Sequence, residues 1–132
     1  MRLVLDTNVI ISALLFDGLP EKLLLSTLGG LHELVLSSYI IAETSRILED
    51  KFEVQPTNIK LLQQLLYEGQ IVYFEPFLDV VADEPDNRIL ETAVKGNADY
   101  LVTGDKLLLQ LKEYQSLKII SVRSCVKILE LN

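Results

Sequence analysis

Residues 1–15 read MRLVLDTNVIISALL. The apolar run Leu3-Val4-Leu5 is continuous rather than alternating, the pattern of a strand covered on both faces. It meets Asp6-Thr7-Asn8, and apolar residues then recur at helical spacing over about 8–15. Four further runs repeat the theme: Leu34-Val35-Leu36, Ile71-Val72-Tyr73, Tyr100-Leu101-Val102 and Lys118-Ile119-Ile120. Helical periodicity fills the intervals at about 20–28, 39–51, 57–68, 87–95 and 106–112, with a last helix near 122–130. Pro20 suits a helix start, Thr57 after Pro56 suits a cap, and Gly69 and Gly96 stand where helices should stop. Strand alternating with helix implies right-handed crossovers, and so an α/β fold with a parallel sheet flanked by helices on both sides.

No Ser/Gly/Pro-rich linker, repeat or charge block interrupts the 132 residues, so 1–132 reads as a single domain. Apolar residues make up 49%, which excludes a largely disordered chain, and roughly 68% of the unfolded surface can be buried at this size. One cysteine, Cys125, and one histidine, His32, exclude an internal disulfide, a multi-Cys zinc site and a multi-His centre. His32 reads as a strand-edge residue and Cys125 as packing in the last helix. The dispersed tyrosines make no recognisable stacking platform. Apolar runs fall far short of the ~20 residues of a membrane span, and Asp6 comes too early for a signal peptide. The expectation is a soluble, cytoplasmic domain with no membrane partner. Lys plus Arg number 12 against 19 Asp plus Glu, a net charge of −7. Such a chain is not a general nucleic-acid coat protein. A pair of divalent cations would cancel more than half of that excess, so a metal-dependent nuclease stays open.

In parallel sheets the ligand crevice lies beyond the carboxyl ends of the strands. There the first strand runs into Asp6 and Asn8, the fourth into Thr103-Gly104-Asp105, and Asp83-Glu84-Pro85-Asp86-Asn87 precedes the helix leading into the fourth. Asp6, Asp86 and Asp105 each stand where a helix begins, so each could serve only as an N-cap. Glu43 could belong to a solvated helix face, yet Ile40 three residues before and Ile47 four after put it on the apolar stripe. Three such aspartates and an inward glutamate at one sheet edge point instead to a metal site. Hard carboxylates without His or Cys suit Mg²⁺ or Mn²⁺, which can activate water and stabilise a departing oxygen at a phosphodiester. Asn8 would orient a ligand or water, and the Thr103 hydroxyl a carboxylate or phosphate. Arg46, Arg88, Lys95 and Lys106 are candidate phosphate contacts, with solvated faces as their plainer reading.

The segments LVLDTNVIISALL (3–15), IAETSRIL (41–48) and DEPDNRILETAVKGNADYLVTGDKLLL (83–109) resemble the PIN-domain family of metal-dependent ribonucleases. The resemblance runs in the same order over essentially the whole chain, and joins Asp6-Thr7-Asn8 to Ala98-Asp99-Tyr100 and Thr103-Gly104-Asp105. It implies a five-stranded parallel sheet in the order 3-2-1-4-5. It also implies a Mg²⁺/Mn²⁺ site from Asp6, Glu43, Asp86 and Asp105, supported by Asn8 and Thr103. The implied activity is endoribonucleolytic cleavage of RNA, as the toxin of a toxin–antitoxin pair silenced by a separate antitoxin protein. Small members commonly dimerise, and the apolar helices LLLSTL (23–28) and LLQQLL (61–66) fit a homodimer. Related sequences often carry an acid two residues after the last motif aspartate, where this chain has Leu107, so one or two ions remain open. Asp83 competes with Asp86 for the third acid. Asp86 is preferred because it adjoins Asn87, and Asp83 reads as turn chemistry.

Three other readings compete. A haloacid-dehalogenase-type phosphatase also begins with a strand-end Asp but wants a second Asp where Asn8 stands. A response-regulator receiver needs adjacent acids after the first strand and a phospho-accepting Asp after the third, where Glu75 and Pro76 match poorly. A catalytically weak PIN-like binding module is opposed by the intact acid set.

Overall fold

The computed structural model describes residues 1–131. The first half of the chain forms β1 (Arg2–Leu5), α1 (Thr7–Leu15), α2 (Leu19–Leu28), β2 (Glu33–Ser37), α3 (Ser38–Phe52), α4 (Pro56–Leu66) and β3 (Gln70–Val72). The second half forms α5 (Glu84–Lys95), β4 (Tyr100–Val102), α6 (Lys106–Leu111), β5 (Glu113–Tyr114), β6 (Leu117–Ile120) and α7 (Val122–Ile128). Six strands make one sheet in the order β3-β2-β1-β4-β6-β5. The five expected runs are the parallel strands and hold the expected order, with β6 in the fifth place. The sixth strand corrects the expected count. Residues 113–114 turn back antiparallel on β6, a two-residue pairing too short to leave a pattern of its own.

Leu3, Val4 and Leu5 are each fully buried. Successive strand residues point to opposite faces, so burial of all three requires cover on both. Helix α5 packs on β1, β2 and β4, while α2 and α7 pack on each other and against β2 and β4. Each fully buried Leu or Val contributes roughly 1.5–3 kcal/mol. A smaller cluster of Ile11, Leu48 and Ile59 joins α1, α3 and α4 away from the sheet. Asp99 sets the start of β4 against β1: its backbone N–H donates to the Arg2 carbonyl at 2.8 Å, and its Oδ2 accepts from the Arg2 N–H at 2.8 Å. His32 stands just before β2 and faces the chain's amino group, and Cys125 is buried in α7.

Two local expectations need correction. Thr57 does not cap α4: Gln55 holds the cap position and Pro56 opens the helix, as its fixed φ favours. Helix α5 starts at Glu84, three residues before the expected 87, because Pro85 fits the first helical turn instead of blocking it. Gly96 does end α5, for a steric reason. A Cβ there would stand 2.2 Å from Val35 Cγ1 and 3.1 Å from the Thr92 carbonyl oxygen. Gly96→Ala should therefore destabilise the fold by about 1–3 kcal/mol, as overpacking does. A urea midpoint unchanged from wild type would show that helix and strand can part there freely.

Candidate functional site

The parallel ladder carries β1 and β4 to one sheet edge. The Asp6 N–H donates to the Val102 carbonyl at 2.9 Å, and the Thr103 N–H to the Ile120 carbonyl at 3.0 Å. The last ladder bonds thus set the first residues of the site. Asp6, only 8% exposed, caps α1 by accepting from the Thr7 N–H at 2.7 Å through Oδ1. Its Oδ2 accepts from the fully buried Thr103 hydroxyl at 2.7 Å. The same hydroxyl oxygen accepts from the Asp105 N–H at 2.9 Å. Asp105 in turn caps α6, with Oδ1 accepting from the Leu108 N–H at 3.0 Å. Capping and clustering are therefore not alternatives, because a cap spends one lone pair and a carboxylate has about four.

Asp86 is different. It lies in the first turn of α5, and the cap position belongs to Asp83, whose side chain makes no capping bond. Asp86 is 7% exposed, and its buried Oδ2 has no hydrogen-bond partner. Burial, then Asp105, Asp83 and Asp6, push its carboxyl up to about 7. Burial also raises Asp6 above the ordinary carboxylate range, with Asp105 and Glu43 adding to it and the Thr103 and Thr7 hydrogen bonds working against it. Glu43 is half-buried on α3 and accepts from the Tyr39 hydroxyl at 2.6 Å. The structure thus brings Asp6, Asp86 and Asp105 within electrostatic reach of one another, and Glu43 within reach of Asp6. Asn8 is exposed, in a cleft it lines with Asp6, Asp105 and Lys106.

Among the described residues, no three Asp, Glu, His or Cys side chains converge as the ligands of one ion would. The donors still suit a hydrated divalent cation, which keeps several waters and takes only one or two carboxylates directly. The unpartnered Asp86 oxygen and the mutual repulsion of these acids are what a bound cation would relieve.

The basic candidates divide. Arg46 pairs with Asp50 on the surface, and Lys95 sits 5.2 Å over the Phe77 ring. Arg88 is turned inward, its Nε 2.5 Å from Glu91 Oε1 and its guanidinium donating to the Leu78 carbonyl at 3.0 Å. Lys106 alone of the four lines the acidic cleft. Two features escaped the sequence reading. Tyr39 belongs to the site, and its spacing of one helical turn from Glu43 was the available signal. Glu91 is fully buried and accepts from the backbone N–H groups of Phe77 and of Leu78, the latter at 2.7 Å. Asn87 does likewise for Val80 at 2.9 Å and Val81 at 3.1 Å. Together they hold the strap of residues 73–83 onto α5.

A parallel α/β sheet with strand-edge carboxylates is the architecture of a PIN domain. The family model of that domain matches residues 2–107, most of the chain, and the chain belongs to the PIN-domain family. Among solved structures it is similar to a chain in the crystal structure of VapBC2 from Rickettsia felis bound to a DNA fragment from their promoter. The TM-score is 0.62 at 20% identity, covering 92% of this chain and 98% of that one, a likeness of fold. No curated protein matches.

An acid whose pKa is higher folded than unfolded stabilises the fold at low pH, and that contribution is lost as pH rises through the folded value. For Asp86 the window runs from about 4 to about 7. In metal-free solution Asp86→Asn should match wild type near pH 4 and exceed it in stability at pH 8, by on the order of 2 kcal/mol. Denaturant titrations at both pH values measure this, and a difference independent of pH would refute it.

Proposed function

We propose that the chain, acting as one nuclease domain over residues 1–132, is an endoribonuclease that hydrolyses RNA phosphodiester bonds with Mg²⁺ or Mn²⁺. The observation that carries this reading is the buried, unpartnered oxygen of Asp86, a residue that feels the charges of Asp105, Asp83 and Asp6 at the strand edge. Asp6, Glu43, Asp86 and Asp105 would hold the hydrated ion, one or two of them directly and the others through its waters. When bound, such an ion supplies an activated water and stabilises charge on the departing oxygen. The chain's own groups do the positioning. Thr103 keeps one Asp6 oxygen turned toward Asp105, Tyr39 steadies Glu43, and the exposed Asn8 amide can meet a phosphate oxygen. Lys106 adds a cation where the substrate backbone would lie. Family membership favours this reading over the phosphatase and receiver alternatives.

The likeness to a VapBC2 chain supports a biological setting: the toxin of a toxin–antitoxin pair, working in the cytoplasm and silenced by an antitoxin protein. No helix among the described residues is long and apolar enough to cross a membrane.

Purified protein should cleave RNA with Mg²⁺ or Mn²⁺ and lose that activity in EDTA. Asp105→Asn should lower the rate by roughly two orders of magnitude or more while the chain stays folded. Cleavage that persists in excess chelator would overturn the metal mechanism. A homodimer completes the proposal, since Leu25, Leu28 and Leu61 are exposed on α2 and α4. Sedimentation at micromolar concentration should show twice the chain mass, and a purely monomeric species would contradict it.

A further inference from the structure

An apolar groove opens beside the acid cluster, between the first turns of α3 and the strap after β3. It is lined by Ser38, Tyr39 and Ala42 from α3 and by Val72, Phe74 and Pro76 from β3 and the strap, with Arg88 of α5 also reaching it. We propose that this groove holds a nucleobase flanking the scissile phosphate, an inference that rests on the nuclease reading. Tyr39 connects the two places. It lines the groove while its hydroxyl donates to Glu43 Oε2 at 2.6 Å, so a base seated there leaves its phosphate at the carboxylates.

The chemistry of the lining fits a heterocycle. Phe74 and the Pro76 ring offer apolar faces for stacking, and the exposed Ser38 hydroxyl can donate to or accept from a base edge. The wall is also fixed in advance. Glu91 and Asn87 hold the strap's backbone, and Phe74 meets the Phe77 ring edge-on at 5.9 Å. Binding therefore orders little that is not already ordered. Charge supplies a further reason. The chain carries −7, Arg46 and Lys95 are engaged elsewhere, and Arg88, which also lines the groove, is paired with Glu91, so phosphate attraction is weak and base contacts must supply much of the substrate affinity.

The experiment uses an RNA oligonucleotide that the wild type cleaves with Mn²⁺, remade with a single abasic ribose at each position flanking the cut. Wild type should lose about tenfold in kcat/KM at one flanking position, the usual consequence of one lost base stack. Ala42→Phe fills the groove from an exposed helical position. It should lose about tenfold on the full RNA and be indifferent to the abasic replacement that wild type feels. The abasic series on wild type tests the proposal even if the variant fails to fold. Indifference of the wild type to every flanking abasic position would overturn it. So would an Ala42→Phe enzyme with an undiminished abasic penalty, which would leave the groove to another occupant such as a partner protein's side chain. Absence of any Mn²⁺-dependent cleavage by wild type would instead remove the nuclease reading beneath it.

Discussion

Everything at the candidate site hangs on the burial of β1 from both sides. Leu3, Val4 and Leu5 are fully buried, so the strand must be central, flanked by parallel neighbours and covered by helices. Parallel strands joined by crossovers all end at the same edge. The residues following β1 and β4 therefore meet, although nearly a hundred positions separate them in the chain. The ladder bond from Asp6 to Val102 and the side-chain bond from Thr103 to Asp6 extend that meeting into the carboxylates.

The acids are held there against their own repulsion. Asp6 and Asp105 each accept from a helix N-terminal N–H, and Asp6 accepts from the Thr103 hydroxyl as well. Asp86 has neither a cap nor a partner on Oδ2, so burial and like charges act on it almost unopposed. The strain of the cluster is thus concentrated on one residue, the one best placed to gain from a cation. Such a local cost is the usual mark of a functional site and is sustained by the core around it.

The long connection from β3 to α5 lacks secondary structure, and its backbone groups would otherwise need water or one another. Side chains of α5 supply the bonds instead: Asn87 pairs with Val80 and Val81, Glu91 with Phe77 and Leu78, and Arg88 with Leu78 and Glu91. The burial of this pair is offset by its mutual attraction and by the two backbone N–H groups that donate to Glu91 Oε2. The same helix therefore carries Asp86 and holds the wall of the neighbouring groove.

The sequence alone determined the α/β class, the strand order that the family resemblance implies, and the strand-end aspartates. Those features rest on local pattern: unbroken apolar runs, helical periodicity and Asp at strand-to-helix turns. The short antiparallel β5 and the start of α5 were not legible, because two residues carry no periodicity and a proline fits a first helical turn as readily as a loop. Glu91 drew no notice in the sequence, and Arg88 read as a candidate phosphate contact or a solvated cation. Their i,i+3 spacing permits a pair, but only the packed structure turned them toward the strap, where their further partners are backbone groups that no residue type announces. The sequence likewise placed acids near one edge, but their unequal burial, and so which one bears the repulsion, was decided by the tertiary structure. Desolvation and Coulomb energy depend on depth and distance, and neither exists until the chain has folded.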